Sequence, residues 1–192
     1  MRCKCPLLGV KRTCLFALQM SDNDPKRTSL VAKTGPTGRL VANRLGERDD
    51  MKAILRRATE ADAKHAASLL TELGYPSTEA DARDRLVRSL RSATSYCLVA
   101  EVAAEVVGLI SAELVFYFPT GSAICRITSL VVSSQHRGHG LGQKLLTAAI
   151  DFAREHHCSG LELTSAEGRV DAHRFYRRLG FSRTSFRFFQ TV

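Results

Sequence analysis

Apolar and polar positions divide the chain into two parts. Residues 1–50 show neither the alternation of a strand nor the 3.6-residue recurrence of a helix, and they carry Pro6, Pro25, Pro36 and a polar run from Ser21 to Ser29. They read as a flexible basic extension, with a targeting segment or a start-site artefact (Met51 as the true start) as alternatives. From Met51 the pattern becomes regular. Lys52–Arg56 reads as a strand, and Thr59-Glu60-Ala61-Asp62 as a capping box that opens a helix. Ala63, Ala66, Ala67, Leu70 and Leu73 fall on one face of that helix, and Gly74 followed by Pro76 stops it. A second helix starts at Ser77, with Leu86, Val87 and Leu90 inward and Arg83, Arg85, Arg88 and Arg91 mostly toward solvent.

Strands dominate the middle. Tyr96–Ala100 and Val106–Phe118 flank a short turn at Ala103-Ala104, and both are apolar enough to be covered on two faces. Ala123–Val132 is a fourth strand. A helix follows from about Gln143 to His156, with Leu145, Leu146, Ala149, Ile150 and Ala153 on one face. Gly160–Ser165 is a fifth strand, Val170 or Asp171 opens a short helix that Gly180 closes, and Phe181–Thr191 is a final strand rich in phenylalanine. The order β-α-α-β-β-β-α-β-α-β predicts an α/β fold, a mixed central sheet flanked by helices, over residues 51–192.

Composition narrows the classes. A chain of 192 residues with an apolar fraction of 44% suffices for one globular domain. No apolar run approaches the roughly 20 residues that span a bilayer, so the expectation is a cytoplasmic protein without a membrane partner. The net charge is +9; residues 1–50 hold ten basic and five acidic side chains, and residues 51–192 eighteen and fourteen. Over half of the excess thus lies outside the domain, and with no aromatic-rich basic patch a nucleic-acid partner is not expected. The six cysteines include no Cys-x-x-Cys pair, and His156-His157 cannot share a helix face, so no metal site is expected.

The chemistry gathers between the fourth strand and the helix after it. Gln135-His136-Arg137-Gly138-His139-Gly140-Leu141-Gly142 sets three glycines two apart at a helix start. Such glycines bare successive backbone N–H groups where the first donors of a helix lack partners and its dipole is positive, and Arg137 adds charge beside them. Read alone, the stretch serves a tight turn as well as a phosphate cradle. It fits neither the Rossmann fingerprint nor the Gly-Lys-Ser/Thr of a P-loop.

The spacing Gln135-x-x-Gly138-x-Gly140 resembles the acyl-CoA loop of the GNAT superfamily of N-acetyltransferases. A second block, Asp171-Ala-His-Arg-Phe-Tyr-Arg-Arg-Leu-Gly-Phe181, resembles the later motif of that family. The similarity covers about residues 53–190. Its ending, with Ser185-Phe186-Arg187-Phe188, resembles the small-molecule branch, notably aminoalkylphosphonate and more loosely aminoglycoside N-acetyltransferases. The resemblance implies acetyl-CoA as co-substrate and a primary amine, of a small molecule, as acceptor. It implies that strands four and five splay, that backbone groups of Leu130, Val131 and Val132 pair with the pantetheine amides, and that the diphosphate lies on the N–H groups of Arg137, Gly138, His139, Gly140, Leu141 and Gly142. The oxyanion would take the N–H of Val131 or a neighbour, and Tyr176 would protonate the leaving thiolate. Relatives often carry a glutamate on the fourth strand, but Cys125-Arg-Ile-Thr-Ser-Leu130 has none. Glu113 and Glu162 become the candidate bases, acting through ordered water, with His173 a third. A protein lysine or N-terminal acetyltransferase and a non-catalytic acyl-CoA-binding module stand as alternatives, and a homodimer is compatible with all three.

Overall fold

The computed structural model describes residues 52–192, so the extension read over residues 1–50 lies outside the described residues. Strands β1 (Ala53–Arg57), β2 (Ser95–Val102), β3 (Glu105–Tyr117), β4 (Ser122–Val132) and β5 (Leu161–Leu163) form one sheet in sequence order. The first three pairings are antiparallel and β4–β5 is parallel. Ala103 and Ala104 turn the β2–β3 hairpin with φ of 50° and 66°, the left-handed pair a two-residue hairpin asks for, although neither is glycine.

Strand alternation sorts the core onto two faces. Helices α1 (Ala63–Glu72) and α2 (Glu79–Arg91) cover one, where Ala66, Leu69 and Leu86 pack with Cys97, Val99, Leu109 and Val131. Helix α3 (Leu141–Glu155) covers the other, where Leu145, Leu146, Ala149 and Phe152 pack with Leu98, Ala100, Ile110, Cys125 and Ile127. Helix α4 (Val170–Arg178) lays Phe175 and Tyr176 against this second cluster. Cys97 and Cys125 are buried packing residues, and burial pushes both thiols up to about 11.

Four sequence expectations change. The inward residue of α1 is Leu69, with Leu70 only partly covered. On α2 the buried pair is Ala82 and Leu86; Leu90, in the last turn, is 48% exposed and lines an open groove with Arg57, Ser92 and Ser95. Helix α3 starts at Leu141, earlier than Gln143, because Gly140 serves as its N-cap. Residues 181–192 form no strand: Phe186, Phe188 and Phe189 are 75%, 93% and 76% exposed. Their alternation suits a strand, but a strand needs a ladder, and β5 at the sheet edge has only three residues.

The best-buried charge fixes β1 to α1. Arg56 donates through two nitrogens to both oxygens of Asp62, each at 2.8 Å, and through Nε to Glu101 at 2.8 Å. The Asp62 carboxylate also accepts from the Thr59 N–H at 2.7 Å and its hydroxyl at 3.1 Å, so the capping box closes through a carboxylate only 6% exposed. The Arg56 guanidinium holds this carboxyl below its ordinary range, against the opposing effect of burial. A depressed carboxyl contributes stability above its unfolded pKa and loses it as pH falls through the folded value. Asp62→Asn should cost about 2 kcal/mol in urea unfolding at neutral pH, because Arg56 then keeps a buried neighbour without charge. The difference between the two proteins should shrink as the pH drops below the usual carboxylate range.

Candidate functional site

The sheet opens between β4 and β5. Their pairing runs only from Cys125–Leu161 to Ile127–Leu163, while β4 continues through Thr128 to Val132 with no strand paired on that side among the described residues. A register shift on the β3 side marks the same point: Ser111 faces Ser129 and Ala112 faces Ile127, leaving Thr128 as an extra residue. Such a bulge bends its strand and adds local twist. The Thr128 hydroxyl sits 2.7 Å from that of Ser111 and 3.2 Å from its carbonyl, which pins the bulge.

Register decides which backbone groups face the opening. Ser133 N–H donates to the Val107 carbonyl at 2.8 Å. By the alternation of an antiparallel ladder, Val131 also turns its N–H and C=O to β3, while Leu130 and Val132 turn theirs toward the side that β5 leaves vacant. The expectation that Val131 would serve this side, or donate to an oxyanion, is therefore corrected: its main chain belongs to β3 and its side chain to the α1 face. Leu130 and Val132 remain.

Beyond Val132 the chain makes a single 3₁₀ turn at Ser134–His136, then reaches Gly138 at φ 85° and Gly140 at φ 78°. A Cβ added to either would meet nothing within 4 Å, so glycine is needed here for its left-handed backbone and not for want of space. Among the described residues no side chain caps α3, whose first helical bond is Lys144 N–H to the Gly140 carbonyl at 3.0 Å. The first N–H groups of a fifteen-residue helix therefore point out of its start with the positive end of the dipole. His139 and Leu141 lie in this corner, the first exposed and the second buried beneath it. A Cβ added to Gly142 would lie 3.5 Å from the Phe175 ring, so α4 packs close to the start of α3.

Three long-range contacts here had no local sequence pattern to announce them. The Glu72 carboxylate, at the end of α1, accepts from the Ser134 N–H at 2.9 Å and lies 3.5 Å from Arg137. Arg137 in turn donates through Nε to the Val132 carbonyl at 3.0 Å. The Arg169 guanidinium, just before α4, donates to the Leu73 carbonyl at the end of α1. These links span 62 and 96 residues along the chain.

Tyr176 packs between Phe175 and Phe181, with ring centroids 5.3 Å and 5.7 Å away. Burial raises its phenol above the ordinary range, and the Arg169 charge opposes that. The candidate carboxylates stand in one row. Ser95, Glu113, Arg126 and Glu162 lie directly opposite one another on successive strands, one residue short of the opening. Opposite residues share a face, and this row lies on the α1/α2 face, across the sheet from the cluster that holds Tyr176. Glu113 accepts from the hydroxyls of Ser95 and, at 3.2 Å, Thr94; Glu162 accepts from Arg126 at 2.6 Å. His173, the third candidate, is partly covered on α4.

A fork in a sheet, two backbone edges facing it and an uncapped helix above it suit an extended ligand with amides and an anionic end. Comparison with known proteins agrees. The model of the acetyltransferase (GNAT) family matches residues 51–181. An aminoalkylphosphonate N-acetyltransferase of Salmonella typhimurium is 34% identical over 144 residues, which are 73% of this chain and 94% of that one. N-acetyltransferase family 8 member 2 of Rattus norvegicus is 32% identical over 55% of this chain, but that match spans only 46% of the rat protein. In structure, an aminoglycoside N-acetyltransferase solved with CoA superposes with a TM-score of 0.66, covering 73% of this chain and 94% of that one at 15% identity, a likeness of fold alone.

Gly140→Val should weaken CoA binding about tenfold or more in calorimetric titration, since a β-branched residue held at φ 78° stores about 1–3 kcal/mol and the loop must shift to relieve it. Gly140→Asn, whose side chain tolerates the left-handed region, should lose less.

Proposed function

The chain belongs to the acetyltransferase (GNAT) family and is an acetyl-CoA-dependent acyltransferase, and from that premise we propose that it acetylates the primary amine of a small molecule. The observation that carries the reading is the fork: Leu130 and Val132 present main-chain donors and acceptors toward the opening that ends at the bare start of α3. A pantetheine arm supplies amides for that edge, and a diphosphate supplies the negative charge for the glycine loop. The similarity to the aminoalkylphosphonate enzyme spans nearly its whole length, which favours a compact amine over a peptide.

The residues divide the work as follows. Backbone N–H groups from Arg137 through Gly142 hold the diphosphate. Leu130 and Val132 align the arm as an added strand would, and one of their N–H groups takes the charge that develops on the acetyl oxygen. Tyr176 returns a proton to the departing thiolate; its burial among aromatic rings keeps the phenol protonated across ordinary pH. Glu113 suits the base better than Glu162. The hydroxyls of Ser95 and Thr94 that hold Glu113 can rotate as it takes a proton, whereas Glu162 is fixed in an ion pair with Arg126. Glu113 lies on the opposite face from Tyr176, so base and acid would act from two sides of the reacting carbon.

Thiol release from acetyl-CoA with a panel of amines tests the substrate class. Release with small primary amines is expected; release only with peptides would replace this reading with a protein acetyltransferase, and binding without release would replace it with an acyl-CoA-binding module. Tyr176→Phe should lower kcat about 10²-fold while the KM for acetyl-CoA stays near its original value. Because burial raises the phenol above its ordinary range, the wild-type rate should hold past the pH at which an ordinary phenol deprotonates, and a pH–rate profile checks it.

A further inference from the structure

The carboxylate of Glu72 stands against the loop that must receive a diphosphate. An uncompensated negative charge there would repel the ligand, so its presence calls for a reason. The contacts supply one. A single oxygen of Glu72 accepts the Ser134 N–H at 2.9 Å, at the first turn of the loop, and faces the Arg137 guanidinium at 3.5 Å, immediately before the first glycine. Arg137 reaches back through Nε to the Val132 carbonyl at 3.0 Å, at the last residue of β4. Strand end, loop entry and loop apex are thus tied together, and all three are tied to the last turn of α1.

We propose that Glu72 is a positioning residue for acetyl-CoA: it braces the diphosphate loop from α1 by holding Ser134 and Arg137, and so sets the affinity for the co-substrate without touching it. The proposal rests on the reading of this loop as the acetyl-CoA site. The brace orders the loop before the ligand arrives. Without it the loop would lose part of its shape, and binding would have to restore it. Arg137 has two parts in this scheme. It neutralises Glu72, so that the loop keeps a net attraction for an anion, and it fixes the Val132 carbonyl at the mouth of the fork. That carbonyl has a second lone pair, so the bond from Arg137 leaves room for a pantetheine N–H. The helix start alone could bind an anion in any protein; the two contacts from Glu72 on a separate helix, together with the bond from Arg137 to Val132, give this loop a fixed form.

The test is a set of full-length variants, Glu72→Ala, Glu72→Gln, Arg137→Ala and the double Glu72→Ala/Arg137→Ala. Binding is measured by acetyl-CoA calorimetry and activity by steady-state thiol release. Glu72→Ala should raise the Kd and KM for acetyl-CoA about five- to tenfold, the scale of one lost charged hydrogen bond, with kcat and the KM for the amine within about twofold. Glu72→Gln keeps an acceptor for Ser134 and should fall between the two. Arg137→Ala should weaken binding more than Glu72→Ala, because it leaves the carboxylate facing the diphosphate. The double variant should be less impaired than the sum of the singles, the mark of two residues acting as one unit. Melting temperatures within a few degrees of the wild type show that each variant is folded. The proposal is overturned if Glu72→Ala binds acetyl-CoA as the wild type does, if it lowers kcat and affects both substrates alike, or if the double variant is simply additive. Failure of the wild type itself to bind acetyl-CoA would instead remove the reading of the site, which keeps the two outcomes apart.

Discussion

One mismatch governs this molecule: β4 has a neighbour along its whole length on the β3 side and for only three residues on the β5 side. An unpaired strand edge inside a protein is costly, since main-chain donors and acceptors that leave water need partners. The bulge at Thr128 concentrates that cost at one place instead of letting the sheet close. The polar groups of Leu130 and Val132 must then be met by water, by a side chain or by a ligand. Arg137 meets one of them. A strand-like ligand with amides can meet the rest, so the proposed binding site would follow from a defect in pairing and would not need a large side-chain pocket.

The two faces of the sheet contribute different parts to that opening. Alternation sends Cys97, Val99, Leu109 and Val131 to α1 and α2, and Leu98, Ala100, Ile110 and Cys125 to α3. The helix that follows β4 must therefore start on the α3 face, and its first turn meets the end of the fork. The end of α1 approaches the same place from the other face. There it supplies the Glu72 carboxylate to the loop and the Leu73 carbonyl to Arg169. The loop is thus gripped from both layers, which explains why a segment of exposed glycines has a defined course.

Much of this was legible in the chain. The capping box at Thr59–Asp62, the stop at Gly74 and the glycines at 138 and 140 each act through bonds a few residues long, and each sits where the pattern puts it. Sequence fails where the outcome depends on distant partners. The pattern at Phe181–Thr191 is that of a strand, yet the short β5 offers it little to join. Val131 is apolar like its neighbours, and only the phase fixed by Ser133 and Val107 shows that its main chain is already used. Glu72 reads as an ordinary exposed helix residue, and nothing nearby in sequence ties it to Ser134. Glu113 and Glu162 are 49 positions apart, and only the register puts them in one row with Arg126 between them.

That row bears on how the opening can host chemistry. A base has to reach the attacking amine without bringing a charge that repels the anionic co-substrate. Placing Arg126 between the two glutamates cancels one of them, and the ion pair with Glu162 at 2.6 Å holds the guanidinium on the β5 side. Glu113 is left with neutral hydroxyl partners from Thr94 and Ser95, one position before the bulge that widens the sheet. Tyr176 stands on the other face, in an apolar ring cluster that suits a neutral phenol and disfavours a phenolate. The polar row and the apolar ring cluster thus lie on opposite faces of the sheet, with the row one residue short of the fork. On the proposed reading, the edge of β4 that lacks a partner receives the arm of the co-substrate, and Glu113 and Tyr176 belong to opposite faces of the sheet beside it.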